Sequence, residues 1–113
     1  LKNLGDEEWA IKLYKRAADR AGESDELREL ADSLLKSLGD EEWAKKLYKK
    51  SEEKAKTFYE FRWLAECLCE NLGDREWAKK VYKRAEGKAK DPSEFNRLTS
   101  SIHEKLDVAS VKL

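Results

Sequence analysis

Residues 38–51 read Leu-Gly-Asp-Glu-Glu-Trp-Ala-Lys-Lys-Leu-Tyr-Lys-Lys-Ser, and close copies of this stretch occur at three places in the 113-residue chain. The copies open at Leu4-Gly5-Asp6, Leu38-Gly39-Asp40 and Leu72-Gly73-Asp74, so their opening positions follow one another at a constant spacing of 34. A fixed period of that size is typical of helical repeats, in which each unit buries its apolar face only against a neighbour. The sequence therefore predicts an all-α fold in which 34-residue αα-hairpin repeats stack as a short α-solenoid.

The period divides the chain into units within a single domain, residues 1–113. We place the units at 5–38, 39–72 and 73–106, with a C-terminal tail at 107–113. At the start of each unit, Gly suits the left-handed position just past a helix end, and Asp suits the N-cap of the next helix. Two residues therefore connect consecutive helices. We expect six helices, near 6–22, 24–37, 40–56, 58–71, 74–90 and 92–105.

Two kinds of helix alternate along the chain. The helix after each Gly-Asp pair, which we call the repeated helix, carries nearly the same apolar residues in every copy: Trp9, Ala10, Leu13 and Tyr14; Trp43, Ala44, Leu47 and Tyr48; Trp77, Ala78, Val81 and Tyr82. The other helix of each unit, which we call the variable helix, keeps an apolar stripe that begins at Leu27, Phe61 or Phe95, while its other residues change. Residues three and four apart share one face of a helix, so both stripes predict core, and the three repeated tryptophans are predicted to be buried.

This pattern resembles the tetratricopeptide repeat. Gly39-Asp40, Ala44, Tyr48 and Ser51 fall on the spacing of that family's second helix, and Phe61, Leu64, Ala65 and Leu68 take the places of its first-helix signature, one residue further from the glycine. The resemblance covers nearly the whole chain. It implies a right-handed solenoid without catalytic activity, in which the variable helices line a concave groove that receives a protein or peptide.

The resemblance also implies which side chains line that groove. Carried over position by position, they are Asp25, Arg28, Asp32, Leu35 and Lys36; Tyr59, Arg62, Glu66, Cys69 and Glu70; Ser93, Asn96, Ser100, His103 and Glu104; and a neighbouring column of Glu29, Trp63 and Arg97. Arg28, Arg62 and Asn96 would form a ladder similar to the carboxylate-clamping groove of some members of the family. The alternative is a solvated face of mixed charge, because several carboxylates surround the two arginines.

Three aromatic residues distinguish the middle variable helix. Phe58, Tyr59 and Trp63 stand where the other two variable helices carry polar residues or proline. Large aromatic residues near an arginine are common anchors of protein interfaces, so this cluster is predicted to contact a protein, a peptide or a second copy of the chain. The alternative is that Phe58 and part of Trp63 pack between helices.

The distribution of charge indicates a further route to self-association. The chain carries 24 basic and 24 acidic residues, so its overall field attracts no polyanion, and we expect no nucleic-acid partner. Residues 5–38 nevertheless contain nine acidic and six basic side chains, whereas residues 73–106 contain six acidic and nine basic ones. Part of the apolar face of the first repeated helix (Trp9, Leu13, Tyr14) should also be bare, since that helix lacks one partner. These features predict salt-sensitive head-to-tail contacts between copies.

Other classes of function receive little support from the sequence. No run of about 18 apolar residues indicates a membrane span. Cys67 and Cys69 are two apart on a helix and cannot easily bridge, so we expect free thiols, as in the cytoplasm, another reducing compartment or a recombinant protein. Equivalent positions on stacked helices, such as Cys69 and His103, lie about 8–10 Å apart, which is too far for a nucleophile and its base. Cys67, Cys69 and His103 lack a fourth metal ligand. We expect no enzyme, no metal and no cofactor.

Two hypotheses about function follow. The first is a non-catalytic protein- or peptide-binding repeat module that uses the concave face of the variable helices. Its predicted partner-binding residues are Asp25, Arg28, Glu29, Phe58, Tyr59, Arg62, Trp63, Glu66, Asn96, Arg97, Ser100 and His103. The alternative is an engineered or structural repeat scaffold without a natural ligand, which self-associates through the solenoid ends or through Phe58, Tyr59 and Trp63. The chain starts at Leu1 and contains no Met, which fits a piece of a longer repeat array.

Overall fold

Six α-helices make up the computed structural model, which describes residues 4–106. They are α1 (Leu4–Arg20), α2 (Ser24–Leu38), α3 (Glu41–Lys54), α4 (Phe58–Cys67), α5 (Arg75–Lys88) and α6 (Pro92–Lys105). A π-helical turn at Leu68–Leu72 continues α4 directly. No strand occurs in this part of the chain, so the predictions of an all-α fold and of six helices are confirmed. None of these helices is both long enough and apolar enough to cross a membrane.

The second and third Gly-Asp pairs form tight turns between helices, as the sequence predicts. The helices before them end at Gly39, with φ of 67°, and at Gly73, with φ of 65°. The Asp40 carboxylate accepts a hydrogen bond from the backbone N–H of Trp43 at 3.0 Å, and Asp74 caps α5 in the same way. Glycine tolerates the left-handed backbone, and the acid satisfies a free donor of the next helix, so two residues reverse the chain.

The variable helices α4 and α6 also start at the predicted caps. Thr57 Oγ1 accepts a hydrogen bond from the N–H of Glu60 at 3.2 Å, and the Glu60 carboxylate accepts one from the N–H of Thr57 at 3.1 Å. Asp91 accepts from the N–H of Glu94 at 2.8 Å, and Pro92 occupies the first turn of α6. Each of these bonds closes within a single helical turn, which explains why the sequence alone could indicate them.

The first Gly-Asp pair behaves differently from the other two. Helix α1 runs from Leu4 to Arg20, so Gly5 and Asp6 lie inside the helix and the predicted bounds of 6–22 shift toward the N-terminus. Among the described residues, no helix precedes α1. Gly5 therefore has no helix to terminate, and the turn expected at this position is not formed.

The helices pack mainly as two pairs. The most extensive contacts join α2 to α3 and α4 to α5. In addition α2 contacts α4, α4 contacts α6, α1 packs on α2, and α6 packs on α5. The core between them consists of the two apolar stripes, and its largest fully buried apolar residues are Leu27, Leu34, Tyr48, Phe61, Leu64, Leu68 and Val81. Within residues 4–106, no preceding variable helix packs on α1 as α2 packs on α3. No following repeated helix packs on α6 as α5 packs on α4.

The three tryptophans of the repeated helices are not equally buried. Trp43 and Trp77 are half-buried against the core, and the Trp43 ring meets Tyr14 edge-on with ring centroids 6.2 Å apart. Trp9 is 65% exposed and Leu13 is 50% exposed. The prediction that Trp9 belongs to the core is therefore wrong, whereas the prediction of a bare apolar face on the first repeated helix is confirmed for the described residues. The cause is that, within residues 4–106, no variable helix packs on α1 from the side where α2 packs on α3.

Candidate functional site

The face formed by α2, α4 and α6, which we call the variable-helix face, carries one exposed tryptophan. Trp63 is 38% exposed, and its ring lies 5.9 Å from that of the half-buried Tyr59. Phe58 is only 3% exposed, so the predicted cluster of three exposed aromatics is reduced to two. Its position in α4 corresponds to Ser24 in α2, which is also buried. Phe58 is therefore a core residue, in agreement with the alternative that it packs between helices.

Two arginines flank the Trp63 ring. The guanidinium of Arg28, on α2, lies 5.8 Å from the ring centroid, and that of Arg62, on α4, lies 5.6 Å from it. Arg62 also lies 5.8 Å from the centroid of Tyr59. A guanidinium within about 6 Å of an aromatic ring is attracted by the ring's quadrupole, so these contacts hold the tryptophan at the boundary of α2 and α4. The structure thus brings together four of the predicted partner-binding residues.

Both arginines are already paired with carboxylates of their own helices. Arg62 Nη1 donates to Glu66 at 2.8 Å, and Arg28 lies 3.6 Å from Asp25 and 3.7 Å from Asp32. The side chains of Arg28 and Arg62 are only 15% and 14% exposed. A clamp for the carboxylates of a partner needs cations that are free to pair with them. The pairing therefore favours the mixed-charge face over a ladder of free cations.

Asp32 is the centre of a hydrogen-bond network that joins α2, α3 and the end of α4. Its carboxylate accepts hydrogen bonds from the Tyr48 hydroxyl, from the Asn71 amide at 2.9 Å and from Cys67 Sγ at 3.5 Å. The Asn71 amide also donates to the Tyr48 hydroxyl at 3.1 Å. Burial, together with the hydrogen bond to Asp32, raises the pKa of Tyr48 far above its usual value. The hydroxyl therefore stays protonated and acts as a donor.

The next copy of the repeat builds a similar network around Glu66, the counterpart of Asp32. Ser101 Oγ donates to Glu66 at 2.6 Å and lies 2.7 Å from the Tyr82 hydroxyl. Burial raises the pKa of Tyr82 as well. The sequence predicts that Tyr48 and Tyr82 belong to the core, but it does not predict these hydrogen bonds. The sequence signal for these two networks was an acidic residue on the variable helix (Asp32, Glu66) and a tyrosine on the repeated helix (Tyr48, Tyr82), each of which recurs at a spacing of 34.

A cleft of about 270 Å³ lies between α4 and α6. Its lining consists of Arg62, Glu66, Asn96, Arg97, Ser100, Ser101 and Glu104. Most of these are predicted groove residues, and Asn96, Arg97 and Ser100 are exposed, so they are accessible to a partner. His103 on α6 and Glu29 on α2 are exposed too, but neither lines this cleft. Of the predicted partner-binding residues, Arg62, Glu66, Asn96, Arg97 and Ser100 therefore share one cleft.

Burial determines the chemistry of the two cysteines. Cys67 is 9% exposed, and burial raises the pKa of its thiol to about 12. Cys69 is half-buried, and burial raises its pKa as well. The thiolate is the nucleophilic form, so Cys67 is a poor nucleophile at neutral pH. Among residues 4–106, no group of three or more His, Cys, Asp and Glu side chains is arranged to hold a metal ion.

Cys67 should react with iodoacetamide more slowly than Cys69, by at least about tenfold near pH 8, because its sulfur is covered and its thiolate is scarce. The raised pKa of Cys67 also adds stability that is complete below the unfolded value of 9.0 and is lost as the pH approaches about 12. Timed alkylation followed by peptide mass spectrometry measures the rates, and Cys69→Ser isolates the slow site. Equal reaction rates at the two cysteines would contradict the assigned burial.

A larger cavity, of about 580 Å³, lies between α3 and α5 and was not predicted from the sequence. Its lining contains one tryptophan, four lysines and four carboxylates: Trp77, Lys45, Lys46, Lys49, Lys80, Glu42, Glu52, Asp74 and Glu76. The opposite charges balance, so the cavity offers no preference for an anion or a cation. The signal for it was the recurrence of lysines at the same positions of the repeated helices.

No protein-family model, no curated protein and no solved structure matches this chain. The resemblance to the tetratricopeptide repeat therefore stays a prediction from the sequence pattern.

Proposed function

We propose that this protein is a non-catalytic binding module that recognises a protein or peptide segment on the variable-helix face. In this proposal the six helices form a short right-handed solenoid of the tetratricopeptide type, and α2, α4 and α6 line its concave side. The observation that carries the proposal is Trp63, which is 38% exposed and lies within 6 Å of the guanidinium groups of Arg28 and Arg62. Arg62 also lines the α4–α6 cleft.

An exposed tryptophan at this position supports the recognition of a protein or peptide segment, rather than a surface that contacts only water. The corresponding residues of the other variable helices are Glu29 and Arg97, so the apolar ring is specific to α4. Tryptophan and arginine contribute a large share of the binding energy at protein interfaces. The contacts from Arg28 and Arg62 already restrict the Trp63 ring, so less side-chain entropy is lost when a partner covers it.

The spacing of the helices supports a concave variable-helix face. Along their backbones, α2 approaches α4 and α4 approaches α6 more closely than α3 approaches α5. Helices α3 and α5 instead leave the cavity of about 580 Å³ between them. A row of helices that are closer on one side curves toward that side. A segment lying along α2, α4 and α6 would then contact several helices at once.

The charges on the face indicate the kind of segment that fits. Arg97 on α6 is exposed and forms no ion pair within the described residues. Glu29 on α2 is 71% exposed, although its carboxylate lies 3.8 Å from the Arg28 guanidinium. Trp63 lies on the helix between them. The matching partner segment carries a basic residue for Glu29, an aromatic or aliphatic side chain for Trp63 and a carboxylate for Arg97, in that order.

A peptide-library selection on the wild-type protein, followed by affinity measurements on Trp63→Glu, tests this proposal. Trp63 is partly exposed and Glu is the residue that α2 carries at the same position, so the helix should tolerate the change. We expect selected peptides to bind the variant at least about tenfold more weakly, because an aromatic anchor is lost. Trp9→Glu is the matched control, since it removes an exposed tryptophan of α1, outside the variable-helix face, and should leave the affinity unchanged.

Two outcomes would contradict the proposal. The first is a set of selected peptides that bind the Trp63→Glu and Trp9→Glu variants equally well. The second is a selection in which segments of the basic–apolar–acidic pattern bind no better than scrambled versions of the same peptides.

A further inference from the structure

The two outermost helices of the described fold expose apolar residues that their counterparts bury. On α1, Leu13 is 50% exposed, whereas its counterpart in α3, Leu47, is 2% exposed. On α6, Phe95 is 45% exposed, whereas its counterpart in α4, Phe61, is 1% exposed. Leu47 is covered because α3 packs against α2, the variable helix before it. Phe61 is covered because α4 packs against α5, the repeated helix after it. Helix α1 therefore exposes the face with which a repeated helix packs against the variable helix before it. Helix α6 exposes the face with which a variable helix packs against the repeated helix after it.

The pairing of α5 with its neighbours shows what the complete interface contains. The Arg84 guanidinium lies 4.6 Å from the ring centroid of Phe61 on α4, and its Nη1 donates to Glu52 on α3 at 2.9 Å. The Trp77 indole N–H donates to the same carboxylate at 3.0 Å. A glutamate and a phenylalanine on two adjacent helices thus receive an arginine and a tryptophan from α5.

The same four residue types recur at the two ends. Glu86 on α5 and Phe95 on α6 stand one repeat after Glu52 and Phe61. Trp9 and Arg16 on α1 stand two repeats before Trp77 and Arg84. Within residues 4–106, the side chains of Arg16 and Glu86 are exposed and form no ion pair. Trp9 and Arg16 at one end, and Glu86 and Phe95 at the other, are therefore the residue types that contact one another where α5 packs on α3 and α4.

We propose that two copies of this chain associate head to tail, with α1 of one copy docked on α5 and α6 of the other. The register is the one that α5 adopts on α3 and α4. Trp9 and Arg16 of the docking copy then meet Glu86, Arg16 covers Phe95, and Leu13 packs against α6 beside the half-buried Ile102. This interface does not use Trp63, so it is independent of the proposed function.

The charges of the first and last units also favour a second copy of the chain as the partner that docks on these end helices. Residues 5–38 contain an excess of three acidic side chains, and residues 73–106 an excess of three basic ones. An acidic first unit therefore approaches a basic last unit, which speeds encounter and disfavours the pairing of two like ends. A head-to-tail contact does not close on itself after two copies, so the association should extend with concentration and weaken with salt.

Sedimentation velocity on the whole chain, from about 10 µM to about 1 mM and at low and high salt, tests the proposal. The wild-type average mass should rise with concentration above the monomer mass of 13.2 kDa. Leu13→Asp and Phe95→Asp each remove one end, and because both residues are exposed the fold should persist, as circular dichroism checks. Each variant alone should stay monomeric. An equimolar mixture should form a dimer of about twice the monomer mass, because each variant supplies the end that the other lacks.

A charge exchange provides a second, independent readout. Arg16→Glu and Glu86→Arg should each weaken the association, because each substitution places like charges opposite one another at the interface between copies. The variant that carries both substitutions restores an opposite-charge pair between identical copies. We therefore expect the double variant to recover most of the association that either single variant loses.

Several outcomes would overturn the proposal. One is a wild-type chain that remains a monomer throughout the concentration range. Another is dimerisation of Leu13→Asp or Phe95→Asp alone, which would indicate pairing of like ends. Loss of association in Trp63→Glu would assign it to the variable-helix face. Association that appears only after removal of residues 107–113 would mean that the same chain, and not a second copy, occupies α6.

Discussion

Phe61→Ala should lower the free energy of unfolding by about 3–5 kcal/mol. The Phe61 side chain is 1% exposed, and the Arg84 guanidinium lies over its ring at 4.6 Å from the centroid. Truncation leaves a cavity where α4 meets α5 and removes the cation–π contact as well. Urea denaturation followed by circular dichroism, at low protein concentration, measures the change.

Phe95→Ala is the matched control for this substitution. Phe95 occupies the same position in α6 and is 45% exposed, so its loss should change the free energy of unfolding by less than about 1 kcal/mol. Low concentration is necessary because association would add to the apparent stability. Equal losses for the two variants would contradict the open face of α6 on which the head-to-tail proposal depends.

Asp32→Ala should lower the free energy of unfolding by about 1–3 kcal/mol. The Tyr48 side chain is fully buried, and its hydroxyl and the Asn71 amide both donate to the Asp32 carboxylate. Removing the carboxylate leaves these donors without their acceptor at the junction of α2, α3 and α4. Arg28 also loses a carboxylate 3.7 Å away. The same denaturation experiment measures the effect.

Ser100→Ala serves as the control for the network. Ser100 is the third-copy counterpart of Asp32, and it is exposed on α6, where no tyrosine from a following repeated helix reaches it in the described residues. Its removal should change the stability by no more than about 0.5 kcal/mol. If Asp32→Ala were equally neutral, the network would not contribute to holding the three helices together.

Helix ends could be predicted from the sequence because the bonds that decide them are short-range. Gly39 adopts the left-handed backbone and Asp40 caps α3, as the residue types alone predict. Thr57 and Glu60 satisfy each other's backbone donors within one turn. The π-helical turn at Leu68–Leu72 has no comparable local signal and was not predicted.

The burial of an apolar side chain could be predicted only for helices that have packed neighbours like those of α3 and α4. Trp9 and Trp43 have nearly the same local sequence, yet Trp9 is 65% exposed because no described helix packs on α1 as α2 packs on α3. Phe58 and Trp63 lie on the same helix, less than two turns apart, yet only Trp63 reaches the surface. Arg62 was predicted from the sequence as a groove residue, but its pairing with Glu66 depends on side-chain geometry that spacing does not specify.

By itself, the recurring Gly-Asp motif determined the all-α class, the six helices and the turns at Gly39 and Gly73, because each of these depends on bonds between residues a few positions apart. The tertiary structure decided which copy of each apolar stripe is covered, that Phe58 is core while Trp63 is surface, and that Arg28 and Arg62 are paired with carboxylates of their own helices. Burial and pairing depend on helices that are distant along the chain. The same local sequence therefore has different surroundings in the middle of the row of helices and at its ends.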